Sequence, residues 1–341
     1  MNTEQLTFTR FIAAVSIVLF HYGQDFYPFN EEGFQFIIGQ ANTGVSYFFI
    51  LSGFVMLIAN QNQTQLDYKQ YYLSRFARIY PVYLMGLLLV WPTAHLLNNV
   101  PSLLAHFSLM QAFFPAWVLD FNLPAWSVSV EVFFYAVFPL LFNVFYASGK
   151  RQTFVYAGII VFWILSQLIY HLALNKTFSF AFVTNTESFL FYSPMFHLNE
   201  FLLGNMAGLL FIRWNGYVKR NFFWLIVGIL VLMFVALKYN SHLNFHNGLL
   251  GVFFVPLILA LAMDDGPIAQ VFNQSALRYL GNISYSIYIY QYPVFHYMKG
   301  MDTGHIALNF LIKFIVLLMV AALSYQFVET PLRAKIKTIL K

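Results

Sequence analysis

Apolar stretches of roughly 20 residues recur along the chain, each closed by a short polar or charged segment. They fall at 6–26, 44–60, 78–98, 126–147, 154–174, 193–213, 222–238, 247–263, 276–298 and 305–328. About 20 residues rising 1.5 Å each cross the hydrocarbon core of a bilayer, so each stretch predicts a transmembrane helix. The pattern predicts an all-α, polytopic membrane bundle of about ten such helices. The longest polar stretches are 60–74, 99–125 and 175–192. None is long enough to bury a core of its own, so 1–341 reads as a single membrane domain.

Composition and charge sharpen this picture. The chain is 60% hydrophobic and 9% charged. Soluble domains carry about 25% charged residues, which excludes a water-soluble globule. Counting loops from the N-terminus, one side holds Arg10, Lys69, Arg75, Arg78, Lys150, Arg151, Arg213, Lys219, Arg220, Arg278, Arg333, Lys335, Lys337 and Lys341. The other side holds Lys176, Lys238 and Lys299, and Lys313 lies inside the last stretch. This asymmetry places the first group, and both termini, in the cytoplasm. It accounts for the net charge of +5 without nucleic acid. The first stretch has no small-residue cleavage site after a short apolar core, so it reads as a retained helix. The absence of cysteine removes disulfides and thiolate chemistry.

Arg10 and His21 both lie in the first stretch, eleven residues apart. Eleven helical steps return a side chain to nearly the same face, roughly 16 Å further along. Ionisable groups at membrane depth are costly and mark a functional path by default. His21 reads as a general base or as a packing histidine bonded across the bundle. Arg75 and Arg78 are neighbours on one helical turn. Two planar guanidiniums side by side suit a phosphate or pyrophosphate, and they also suit plain cytoplasmic anchoring. Glu131 is expected at the outer end of the fourth span, where it shares a face with Ser127 four residues earlier and Trp126 marks the interface. A carboxylate there must be bonded or paired. It either orients His21 or a sugar hydroxyl, or it is structural. Glu200 and Glu329 stand near span ends, with Glu329 expected at the water-accessible cytoplasmic edge. No Walker loop, GxGxxG, HExxH or GxSxG motif occurs, and the remaining histidines lack metal-ligand spacing, so no metal is expected.

In order along the chain, several segments resemble the acyltransferase-3 family of bacterial integral membrane acyltransferases. Arg10 to His21 resembles its opening Arg-x10-His span, and Gly44 to Phe54 resembles its second motif. Arg75-Phe-Ala-Arg78-Ile-Tyr-Pro81 resembles its Arg-x-x-Arg-Ile-x-Pro. Trp126-Ser127-Val-Ser129-Val-Glu131 resembles its Trp-Ser-Leu-Ser-x-Glu. Glu200 to Gly204, Gly281 to Tyr288 and Glu329-Thr-Pro331 complete the series. Two positions depart from the pattern. Ser46 stands where relatives often carry an acid, and Gln291 where they often carry a histidine. The chain resembles the stand-alone type, without an appended esterase-like domain.

The resemblance implies a multi-pass protein of the bacterial cytoplasmic (inner) membrane. It implies transfer of an acyl group, usually acetyl from acetyl-CoA, to a hydroxyl of a cell-surface or lipid-linked glycan such as O-antigen, capsule or exopolysaccharide. On that reading Arg10, Arg75 and Arg78 grip the phosphates of CoA. His21 is the general base or acyl carrier, with Glu131 orienting it or the acceptor, and Trp126, Ser127 and Ser129 lie on the acceptor's path. The alternative is a transporter or flippase for a lipid-linked glycan, with Arg10, His21 and Glu131 lining a translocation route.

Overall fold

A computed structural model describes residues 3–90, 99–147, 152–177, 180, 185–214, 220–239 and 243–339. Of the sequence features, the end of the third stretch, part of the 175–192 segment, Lys150, Arg151, Lys219 and Lys341 lie outside the described residues. The helices are α1 (Gln5–Tyr22), α2 (Glu32–Ile38), α3 (Gly44–Asn60), α4 (Tyr68–Val90), α5 (Val100–Phe107), α6 (Trp126–Leu141), α7 (Gln152–Leu174) and α8 (Thr186–Tyr192). They continue with α9 (Pro194–Trp214), α10 (Phe223–Lys238), α11 (Gly251–Met263), α12 (Pro267–Phe272), α13 (Ser275–Tyr297), α14 (Ile306–Ser324) and α15 (Thr330–Ile339). No strand occurs among the described residues.

A helix lies in each of the ten apolar stretches. Among the described residues seven helical runs are long and apolar enough to cross a membrane: those containing α1, α3, α4, α6, α7, α9 and α14. Helices α10 and α11 are apolar but shorter. Helix α13 has the length, with 23 residues, yet carries Arg278, Asn282, six tyrosines and Gln291. Its polarity follows from its place. Ser284, Ser286, Tyr288, Tyr290 and Gln291 are all buried against neighbouring helices, so α13 meets protein where a lipid-facing helix would need apolar side chains. Helices α7, α10 and α14 show the opposite pattern, with exposed Phe154, Ile164, Leu232, Leu311 and Met319.

The tightest crossing joins α3 to α9. A Cβ on Gly53 would stand 2.2 Å from Phe201 O, and one on Gly204 would stand 1.9 Å from Ile50 O. The obstacle in each case is backbone, which cannot rotate aside, so the helices must separate. Gly204→Ala is therefore expected to cost about 1–3 kcal/mol, read as a lowered Tm in detergent. An unchanged Tm would show that the two helices have room to spare.

Helices α1 and α13 run side by side in the same direction. At one end Gly281 lies against the backbone of Thr7, where a Cβ would meet Thr7 O at 2.0 Å. At the other, Tyr22 stacks on Phe295 with ring centroids 4.0 Å apart. This pairing carries Arg10 and His21 past successive turns of α13.

Candidate functional site

Helices α1, α3, α4, α6 and α13, with the junction of α14 and α15, surround a cavity of about 330 Å³. Its walls include Arg10 from α1, Arg75 and Arg78 from α4, Ser127 and Glu131 from α6, and Tyr285 and Tyr288 from α13. Glu329 and Arg333 close the remaining side. Residues far apart in sequence thus converge because α4 and α15 each bring one helical turn of charge to the same place.

The guanidiniums are poorly satisfied by the protein itself. Among the described residues Arg10 and Arg78 make no hydrogen bond, although each acts electrostatically on the other and on Glu131 and Glu329. Arg75 is held by softer contacts. Its guanidinium stands 5.9 Å from the Tyr71 ring centroid and 5.8 Å from that of Tyr135, and Nη1 lies 3.5 Å from Met56 Sδ. Its Nε donates to Ser74 Oγ at 3.4 Å, and its other donors have no further partner among the described residues. Four guanidiniums line the cavity with three carboxylates, and one of the three, Glu4, is already paired with Arg278. A partly desolvated enclosure with surplus positive charge and unused N–H donors is an anion site.

The two deeper carboxylates differ. Glu131 Oε1 accepts hydrogen bonds from Tyr135 Oη at 2.5 Å and Ser52 Oγ at 3.3 Å. Glu329 is buried, at 5% exposure, and its Oε2 has no hydrogen-bond partner among the described residues. The sequence places Glu329 at a wet edge, but a π-helical turn over Tyr325–Glu329 brings it to the cavity wall. Such turns are rare and occur often at functional sites. Arg333 and Tyr135 were also not legible as site residues. The available signal was spacing: Arg333 follows Glu329, and Tyr135 follows Glu131, by four residues.

The cavity follows α13 from Asn282 to Tyr288. At that end Tyr288 Oη lies 2.7 Å from Ser127 Oγ and donates to Pro124 O at 3.0 Å. Ser127 and Glu131 therefore do share a face, and both meet the cavity. Trp126 and Ser129 turn elsewhere. Trp126 is buried between Tyr192, His197 and His246, with ring centroids 5.0, 5.2 and 5.7 Å away. Ser129 Oγ donates to Leu109 O at 2.6 Å and accepts from Ala112 N at 3.3 Å, pinning the segment after α5.

His21 is not among the cavity walls. It sits in the last turn of α1 and is exposed. Its Nδ1 lies 2.8 Å from Gln291 Oε1, one turn of α13 beyond Tyr288. The cavity thus reaches α13 as far as Tyr288, and His21 meets α13 one turn later, at Gln291. Among the described residues no group of three or more His, Asp or Glu is placed to hold a metal ion.

Comparison with known proteins agrees with a membrane acyltransferase. The chain is 24% identical to "O-acetyltransferase OatA" of Staphylococcus aureus (strain NCTC 8325 / PS 47), covering 96% of this chain and 56% of that protein. It is 22% identical to "Putative O-acetyltransferase SACOL0978" of Staphylococcus aureus (strain COL), covering 95% of this chain and 56% of that protein. The chain thus spans about half the length of these curated relatives. No solved structure matches it. The model of the acyltransferase domain matches residues 4–328, nearly the whole chain, which therefore belongs to the acyltransferase-3 family.

Proposed function

We propose that this protein moves an acetyl group from cytoplasmic acetyl-CoA to a hydroxyl of a cell-surface glycan, as a multi-pass protein of the bacterial inner membrane with both termini in the cytoplasm. One observation carries the reading. Arg10, Arg75, Arg78 and Arg333, from three separate helical segments, converge on one cavity with donors to spare. The phosphates of CoA are the matching anion, and the names of the relatives supply O-acetyl transfer as the chemistry.

On this reading the phosphates rest on the arginines, and the acyl-bearing arm extends along α13 toward Tyr288 and Ser127. His21 stands one turn beyond and is open to an acceptor. It takes the proton of the acceptor hydroxyl as that oxygen attacks the thioester carbon, or it first carries the acyl group on its own ring nitrogen. In the first course the C–S bond breaks as the C–O bond forms, and His21 passes the hydroxyl proton on to the departing sulfur. In the second the C–S bond breaks as the C–N bond forms and CoA leaves as the thiolate. The acceptor oxygen then takes the acyl carbon from nitrogen as its proton passes to the ring.

Two measurements test this. Arg75→Ala and Arg78→Ala should each weaken acetyl-CoA binding roughly 10- to 100-fold, since a hydrogen bond to a charged group contributes about 1.5–3 kcal/mol. Unaltered affinity in both variants would remove CoA from the cavity. Mass spectrometry of surface glycans should show one acetyl unit restored when a deletion strain is complemented. Accumulated lipid-linked precursor without a change in acetylation would instead favour a flippase.

A further inference from the structure

Gln291 is fully buried on α13, and its amide is used at both ends. Its Nε2 donates to Tyr288 O at 2.9 Å. A carbonyl oxygen only accepts, so the amide group facing it must be the NH2. That leaves Oε1 facing His21 Nδ1 at 2.8 Å. An amide oxygen is also only an acceptor, so Nδ1 must carry the proton. In a neutral ring the remaining nitrogen, Nε2, then holds the lone pair. The backbone carbonyl of Tyr288 thus fixes the tautomer of His21 through one intervening amide.

We propose that Gln291 is the positioning residue of His21, holding the imidazole as the Nδ1–H tautomer so that Nε2 is the nitrogen that accepts the hydroxyl proton or the acyl group. The inference rests on the reading of His21 as base or acyl carrier. A carboxylate is the more familiar partner for a histidine base, and it would favour the imidazolium after proton transfer. A neutral amide orients the ring without adding charge. Among the described residues no ion pair or second hydrogen bond competes for the ring, whose aromatic neighbours are Phe20 and Tyr22.

The test compares two variants whose expected order depends on the role. Gln291→Leu keeps an apolar fit in a buried site but removes the acceptor. Gln291→Glu keeps an acceptor oxygen but sacrifices the bond to Tyr288 O. If the side chain merely packs, Leu is benign and Glu harmful. If it positions His21, Leu should lower kcat about 10- to 100-fold, as loss of an orienting partner does elsewhere, with KM for acetyl-CoA unchanged. Glu should then recover most of the rate. The assay is transfer of labelled acetyl from acetyl-CoA into the glycan fraction of membranes bearing the full chain.

A second readout needs no acceptor. In protein labelled with 15N-histidine, the signals lost in His21→Ala should show a protonated Nδ1 and an unprotonated Nε2, and that signature should disappear in Gln291→Leu. Wild-type kcat in Gln291→Leu, or an Nε2–H tautomer in the native protein, overturns the proposal. Full activity in His21→Ala would instead overturn the reading beneath it, which separates the two failures.

Discussion

His21→Ala is expected to lower acetyl transfer about 10²- to 10⁴-fold, the range that a positioned general base contributes. The structure makes this substitution unusually clean. The ring is exposed at the end of α1, so its removal leaves no internal cavity. Its one hydrogen bond among the described residues goes to Gln291, which keeps its other bond to Tyr288 O. The arginine cavity does not include His21, so acetyl-CoA affinity should remain at the wild-type level while transfer is lost. Measured together, donor binding, membrane abundance and labelled-acetyl incorporation distinguish a lost base from a misfolded protein. Retained transfer at normal abundance would end the assignment of His21.

The helical architecture was legible because hydrocarbon forces each spanning segment to satisfy its own backbone, and so writes length and apolarity directly into the sequence. Helix α13 shows the limit of that signal. It lies among other helices and can carry Gln291 and six tyrosines, which lower its hydropathy without changing its path. The site was legible in part. Arg10, Arg75, Arg78, Ser127 and Glu131 all line one cavity, whereas the sequence reading set Glu131 at the outer end of its span, beside His21 or the acceptor and apart from the arginines. Helical phase alone, however, put His21 and Arg10 in one groove. Phase says which side of α1 a residue occupies and nothing about the side chains that stand between two points on that side. The cavity takes in Arg10 and reaches α13 at Tyr288, whereas His21 meets α13 one turn later, at Gln291, and is not among the cavity walls. Glu329 and Arg333 were obscured for a related reason. A π-helical turn rotates the residues C-terminal to it, and the sequence carries no plain mark of that rotation.

Glu200→Ala is expected to cost about 3–5 kcal/mol, the usual result of stranding one member of a buried pair. Its carboxylate Oε2 lies 2.6 Å from His197 Nδ1, and neither side chain has any exposed surface. His197 Nε2 faces Phe191 O at 2.8 Å. Both ring nitrogens therefore meet oxygens, and the pair shares one proton between imidazole and carboxylate that neither water nor lipid can replace. Glu200→Gln retains the shape and offers an amide N–H to Nδ1, so it should cost only about 1 kcal/mol, the scale of a single neutral hydrogen bond. The difference should appear as separated Tm values in detergent. Equal losses in both variants would mean that the bulk of the side chain matters and the pairing does not. The consequence reaches the site, because Trp126 packs on the His197 ring and begins the helix that carries Ser127 and Glu131. Loosening the pair should therefore degrade transfer even in molecules that remain folded, while the acetyl-CoA binding proposed for Arg75 and Arg78 on α4 should persist.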